Sequence, residues 1–293
     1  MPGTGEGPID LRGRRTDQQG GQADDAPGSK GRRYPIAAPV SCDCLEFRRR
    51  RTRYCVTVVA WNEGERLKGQ LRRMQEFSGL ADIVIADGCS TDGSTEPGFL
   101  SSVGVRTLLS VKERGLSTAT RAALSYAIGE GYEGVVTLDG NGKDGVEAIP
   151  RFLKCLEDGY DLVQGGRFLP GGFHENTPLE RFLAIRFIMS PVLWMASGYL
   201  YNDPTNAFRA LSARFLRDDR VQPYRPVFVR FSLQIYLIYQ AARLGFRVGQ
   251  MPVTRVYPDD GTMPTKIVGW KHKWLNFSEM CGVALGRYNP KGC

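Results

Sequence analysis

Short β-branched apolar runs, each closed by a polar turn and each separated from the next by a stretch of helical spacing, constrain this chain more than any other feature. Tyr54 to Ala60 (YCVTVVA), Asp82 to Ala86 (DIVIA) and Gly134 to Leu138 (GVVTL) are the clearest. Val103 to Leu109 predicts a further strand, and Asp161 to Val163 begins another. Such runs suit strands buried on both faces. Between them, Glu63 to Phe77 places Leu67, Leu71, Met74 and Phe77 at helical intervals, and Leu116 to Ile128 and Glu147 to Leu156 also read as helices. Strands alternating with helices predict a mostly parallel sheet covered on both faces. Ligands of such sheets bind beyond the carboxyl ends of the strands.

Three of those ends are polar. Trp61-Asn62-Glu63-Gly64-Glu65 follows the first strand. Asp87-Gly88-Cys89-Ser90-Thr91-Asp92-Gly93-Ser94 follows the second. Asp139-Gly140-Asn141-Gly142-Lys143-Asp144 follows the strand ending at Leu138. Their glycines let backbone N–H groups come close to a ligand. Taken singly, each is an ordinary turn or helix start, with Ser90 or Asp92 as a cap. Together they predict one cleft lined by carboxylates and amides. Neither Gly-x-Gly-x-x-Gly nor Gly-x-x-x-x-Gly-Lys-Ser/Thr occurs, which argues against dinucleotide binding and a P-loop.

A net charge of +8 over 293 residues points to anionic partners. The basic residues form no recognisable nucleic-acid module, so no nucleic acid is expected. Residues 1–53 are polar and glycine-rich, and are read as a disordered basic leader to a single domain over 54–293 that ends in a helical extension. The run Arg48 to Arg53 is either solvated or set against anionic lipid. The seven cysteines are scattered, and Cys42-x-Cys44 with only two histidines makes a poor zinc site. With no signal peptide evident, the expected location is cytoplasmic, at most at the inner face of a membrane. Phe187 to Tyr201 is the most apolar stretch, too short to span and interrupted by Pro191. It is either an interfacial element or a helix packed on the sheet, and Phe228 to Ala242 reads as a core helix.

The motifs, in order, resemble the family 2 glycosyltransferases of the GT-A fold, especially dolichyl-phosphate mannose synthases and related polyprenyl-phosphate glycosyltransferases. The resemblance runs from about Tyr54 to Lys273. Val59-Ala60-Trp61-Asn62-Glu63 is similar to the family's Pro-x-Tyr-Asn-Glu segment, and Asp87 to Gly93 to its acidic Gly-Ser-x-Asp-Gly turn. Asp139-Gly140-Asn141 stands at Asp-x-Asp, Gly165-Gly166-Arg167 at Gly-Ser-Arg, and Asp203 to Arg209 at Asp-x-x-x-Gly-Phe-Arg. Arg255 and Thr265-Lys266 stand where the synthases place cations near phosphates.

The resemblance implies a GT-A (Rossmann-like) α/β domain. It implies donor binding by Ala60, Trp61, Asn62, Glu63, Asp87, Gly88, Ser90, Asp92, Gly140, Asn141, Arg255 and Lys266. Asp139, Arg167 and Asp203 are the catalytic candidates, Asp203 as a base or as a cap of the following segment. A Mg²⁺ or Mn²⁺ ion on Asp139 and Asn141, helped by Asp144, is expected to offset charge on the leaving diphosphate. Two departures bear on this. Asn141 replaces the second acid, and Lys143 lies where a neutral side chain is usual, so Lys143 itself is a rival partner for the diphosphate. The activity implied is inverting transfer of a hexose from a UDP- or GDP-sugar to a polyprenyl phosphate. A soluble natural-product or peptide acceptor, or a nucleotide-sugar-binding module without turnover, remain open alternatives.

Overall fold

The structure, a computed structural model, describes residues 40–258 and 269–290, with side chains for all of these but 269–272. In chain order the elements are β1 (Cys42–Glu46), β2 (Tyr54–Ala60), α1 (Glu65–Met74), β3 (Asp82–Asp87), α2 (Pro97–Ser102), β4 (Val105–Val111), α3 (Leu116–Gly129), β5 (Gly134–Asp139), α4 (Ile149–Glu157) and β6 (Leu162–Gly166). They continue with β7 (Phe173–Glu175), α5 (Leu179–Ala184), α6 (Ser190–Ser197), β8 (Arg209–Ser212), α7 (Ala213–Arg217), α8 (Ser232–Arg243), β9 (Val248–Pro252), β10 (Thr254–Val256) and α9 (Gly269–Ala284). Eight strands form one sheet in the order β1-β4-β3-β2-β5-β8-β6-β9, while β7 and β10 pair apart from it. Strands β4, β3, β2 and β5 are parallel neighbours, and β8 runs antiparallel between β5 and β6.

Alternation along β2 explains the layering. Val56, Val58 and Ala60 pack with Leu67, Leu71 and Met74 of α1 and Phe152 of α4. Cys55 faces the opposite layer, where Leu124 of α3, Phe215 of α7 and Tyr236 of α8 are buried. The Phe228–Ala242 region is a core helix as expected, with ten of the twelve residues of α8 buried. Among the described residues no helix is long and apolar enough to cross a membrane.

The leader expectation is corrected at its C-terminal end. Cys42–Glu46 is a strand, paired antiparallel with β4 from Cys42 opposite Val111 to Glu46 opposite Thr107. Four of its five side chains are exposed, so its place is set by main-chain pairing to a sheet edge, which composition does not register. The arginine run is tied to the folded domain. Arg50 donates to the Glu130 carbonyl at 2.9 Å and Arg53 pairs with Glu133 at 2.6 Å. The N–H of Arg51 donates at 3.0 Å to Asp82, the first residue of β3. The run therefore clasps the amino edge of the parallel strands, opposite the polar turns. Residues 1–39 and Lys266 lie outside the described residues.

Candidate active site

The register of β2 brings the three polar turns together. Ala60 stands beside Asp87 and Val59 beside Asp139. The pairing runs on past the strand ends, Gly88 N–H donating to the Ala60 carbonyl at 2.9 Å and Gly140 N–H to the Val59 carbonyl at 2.8 Å. The first two turns are then tied by side chains. Asn62 N–H donates to Ser90 Oγ at 2.8 Å, Thr91 N–H to Asn62 Oδ1 at 2.8 Å, and Gly64 N–H to Asp92 Oδ2 at 2.7 Å. Asn62 and Cys89 have φ of 50° and 61°, a left-handed backbone that these reciprocal bonds hold in place. Buried Asp87 receives Ser90 Oγ at 2.6 Å and Ser90 N–H at 3.0 Å, so its carboxylate shapes its own turn. Neither Ser90 nor Asp92 caps the next helix. Glu96 does, accepting from Gly98 and Phe99 N–H.

Trp61 is 38% exposed and lies against Gly88, whose Cα would put a side chain 3.4 Å from it. The Arg114 guanidinium stacks over the indole at 5.5 Å. These residues make an aromatic shelf beside the turn that follows β3. Gly140 is enclosed more tightly. A Cβ there would meet Leu67 Cδ1 at 3.0 Å, with Ala60 Cβ and the Val59 carbonyl at 3.1 Å. Gly140→Ala is expected to cost about 1–3 kcal/mol of stability, measurable as a lowered denaturant midpoint, because the β2–β5 join must open. An unchanged midpoint would show that this join is looser than described.

The segment after β5 also meets β10. Gly145 N–H donates to the Thr254 carbonyl at 3.0 Å and Val256 N–H to the Lys143 carbonyl at 2.9 Å. This brings Arg255 into a nest of carboxylates 111 and 116 residues away in sequence: Asp144 at 2.5 Å and Asp139 at 3.4 Å. Asn206 Oδ1 accepts a further bond from Arg255 at 3.2 Å. Asn141 Nδ2 donates to Asp139 Oδ2 at 3.2 Å, while its Oδ1 accepts from Lys143 N–H at 3.3 Å. Among the described residues, buried Asp144 Oδ2 meets no hydrogen-bond partner. Burial raises the Asp144 carboxyl above its ordinary range, against the pull of Arg255. Burial also brings the Lys143 ammonium down to about 7, helped by Arg255 and opposed by Asp139. Its Nζ sits 4.7 Å over the Tyr257 ring.

Arg167 and Asp203 are together but not open to a ligand. Neither side chain has exposed surface, and the guanidinium grips the carboxylate from Nε at 2.5 Å and Nη2 at 3.1 Å. Burial would raise the Asp203 carboxyl, but Arg167 outweighs it and holds the group below its ordinary range. Asp203, expected either as a base or as a cap of the following segment, is bound to Arg167 here and faces no open space. It is an internal counter-ion to Arg167, with Thr205 Oγ1 donating to it at 3.0 Å.

Arg114 and Tyr257, which sequence did not single out, lie here together with Arg181, read in sequence only as part of the basic flank before Phe187. Tyr257 is buried beside Arg167, which reaches its hydroxyl at 3.5 Å. Burial resists ionisation of the phenol, but Arg181, Arg255 and Arg167 together hold it below its ordinary value. Arg181, on α5, is lowered by burial and by the nearby Arg167 and Arg255. Only the basic character of Arg181 was visible in sequence; its direction depends on how α5 packs.

Comparisons with known proteins bear on the family and the fold. Residues 55–219 match the model of the family described as glycosyl transferase family 2. The undecaprenyl-phosphate mannosyltransferase of Micrococcus luteus is 28% identical over 207 residues, 70% of this chain and 84% of that protein. The polyprenol monophosphomannose synthase of Mycolicibacterium smegmatis is 25% identical over 69% of this chain and 77% of its own length. Among solved structures, the glucosyl-3-phosphoglycerate synthase of Mycobacterium tuberculosis superposes with a TM-score of 0.59 at 17% identity, covering 82% of this chain and 81% of that one. That likeness establishes the fold. With more than half of the chain matched and the three turns meeting as the fold requires, the chain belongs to glycosyl transferase family 2 and is a glycosyltransferase.

Proposed function

We propose that this enzyme transfers a hexose, with inversion, from a UDP- or GDP-sugar to the phosphate of a polyprenyl phosphate. The observation that carries the reading is the gathering of Lys143, Arg181 and Arg255 around Tyr257, beside Asp139. Two anionic groups must meet in this reaction, the donor diphosphate and the acceptor phosphate. Cations fixed in a site of low dielectric stabilise charge that grows on the leaving diphosphate. The donor lies over the Trp61–Arg114 shelf with its diphosphate toward Asp139. An acceptor phosphate oxygen attacks C1, the bond from C1 to the β-phosphate oxygen breaks, and the nucleoside diphosphate leaves with that electron pair. A phosphate is already anionic, so Asp203, locked by Arg167, is not needed as a base. The relatives named for polyprenol-type acceptors support the same choice.

The residues fit a divalent ion only in company with the donor. Among the described residues no three carboxylate, imidazole or thiol groups converge. Among the described residues the Asp139 carboxylate is engaged through Oδ2, by Asn141 and Arg255. One carboxylate and one amide oxygen, completed by substrate phosphates and water, is a usual setting for Mg²⁺ or Mn²⁺. Such an ion would offset diphosphate charge, Asp139 and Asn141 holding it. Lys143 and Arg255 share that task from the protein side.

The test supplies radiolabelled UDP- and GDP-hexoses with an undecaprenyl phosphate, an undecaprenol lacking the phosphate, and soluble hydroxyl acceptors. A labelled, acid-labile lipid phosphate product from one donor is expected. Transfer only to neutral hydroxyls would overturn the acceptor assignment, and donor binding with no product from any acceptor would return the chain to a binding module.

A further inference from the structure

Lys143 is held at both ends by consecutive residues. Its carbonyl accepts from Val256 N–H at 2.9 Å, and its ammonium sits 4.7 Å over the ring of Tyr257. Both side chains are buried. The ring is itself fixed from the opposite side. Tyr257 N–H donates to the Glu175 carbonyl at 3.2 Å, Asn176 Nδ2 donates to the Tyr257 carbonyl at 3.2 Å, and Arg167 Nη1 reaches the hydroxyl at 3.5 Å. The chain beyond β5, the chain beyond β6 and the end of β7 thus meet at one aromatic residue.

A lysine at this place needs such a support. Arg255 and Arg181 repel its ammonium, while Asp139 and Asp144 attract it. A long side chain set among opposing fields has no single resting place, and ordering it when a ligand arrives costs binding energy. The face of a phenol ring attracts a cation through its quadrupole, most strongly where water is excluded. The ring brings no negative charge, so this contact fixes the ammonium without cancelling what it offers an anion.

We propose that Tyr257 is a positioning residue, whose ring holds the Lys143 ammonium where the terminal phosphate of the donor's nucleoside diphosphate comes to rest, beside Asp139. This rests on the nucleotide-sugar reading and is independent of the acceptor. The ring then acts on diphosphate affinity, and wholly through Lys143. A nucleoside monophosphate lacks the terminal phosphate and should not feel it.

The test is calorimetric titration of UDP, GDP and the matching monophosphates, with Mg²⁺ present, into wild type and four variants: Tyr257→Phe, Tyr257→Leu, Lys143→Met and the double variant Lys143→Met/Tyr257→Leu. Wild type is expected to bind one of the two diphosphates more tightly. Tyr257→Leu should weaken that diphosphate about tenfold and leave its monophosphate within about twofold. Tyr257→Phe keeps the ring and should stay close to wild type. The double variant should lose no more than Lys143→Met alone, because a ring with no ammonium to hold has nothing left to contribute. Fluorinated phenylalanines at position 257 keep the shape while draining charge from the ring face. Affinity should fall with each added fluorine, a readout that stands even if Tyr257→Leu does not fold.

Equal weakening of diphosphate and monophosphate, losses that add in the double variant, or no trend with fluorination would leave Tyr257 a packing role and overturn the proposal. So would a Tyr257→Phe enzyme as weak as Tyr257→Leu, since the hydroxyl on Arg167 would then be the operative contact. A diphosphate bound equally by wild type and Tyr257→Leu sinks this inference alone. Wild type that binds neither diphosphate sinks the nucleotide-sugar reading, and the inference with it.

Discussion

Asp139→Ala is expected to lower turnover at saturating donor by about 10²–10³-fold, the range seen when a fixed electrostatic partner of a developing charge is removed. Of the three carboxylates that surround Arg255 and Arg167, Asp139 alone keeps exposed side-chain surface, 24%, while Asp144 and Asp203 have none. It is therefore the one of the three that, under the proposed function, a donor diphosphate and its ion would meet. The fold should barely notice. Arg255 retains Asp144 and Asn206, and the β2–β5 pairing at this point is made by Gly140 N–H rather than by the Asp139 side chain. A melting temperature within a few degrees of wild type should accompany the loss of rate. A second variant places the cause. Asn141→Asp restores an acidic pair and should bind Mn²⁺ without donor, read by the loss of the free-ion spin-resonance signal, where wild type needs donor present. Asp139→Ala that keeps more than a tenth of wild-type turnover would move the diphosphate elsewhere, and Lys143 would be its first claimant.

Legibility in the sequence followed physical range. The parallel core was readable because buried strands need unbroken β-branched runs, and β2, β3 and β5 fall within a residue of the expected stretches. The meeting of Trp61, Asp87 and Asp139 was readable for a related reason. Parallel neighbours bring their carboxyl ends to one edge whatever their sequence separation. Strand β1 was not readable, because CDCLE has no apolar alternation and is held by β4 through its main chain. The partners of Arg255 were beyond reach too. They depend on an isolated bridge between Asp144 and Arg255, a contact that no local pattern announces. Arg167 was read as facing substrate, and Asp203 either so or as a cap of the following segment. Their sequence context is the same whether they face a ligand or each other, and only burial distinguishes the cases.

That burial makes the second large prediction. Asp203→Asn keeps the shape of the side chain and removes its charge, leaving the Arg167 guanidinium fully enclosed without a counter-ion. Breaking one side of a buried pair costs about 3–5 kcal/mol, and for a domain of this size that corresponds to a fall of roughly 10 °C or more in melting temperature. The strain would be felt where β6 ends, since Gln164 of that strand donates to the carbonyls of Asp203 and Asn206 at 3.1 and 2.8 Å. Replacing both partners, Arg167→Met with Asp203→Leu, removes the orphaned charge along with the pair and should recover most of the lost stability. The pH dependence has a definite sign. Because Asp203 is held below its ordinary range, its stabilisation is complete at neutral pH. It is lost only as pH falls below the ordinary carboxylate range and through the depressed folded value. The wild-type melting temperature should therefore carry no signature of this group near neutrality. An Asp203→Asn enzyme that melts like wild type yet has lost its turnover would reverse the assignment, making Asp203 the proton acceptor after all and requiring the Arg167 clasp to open during the reaction.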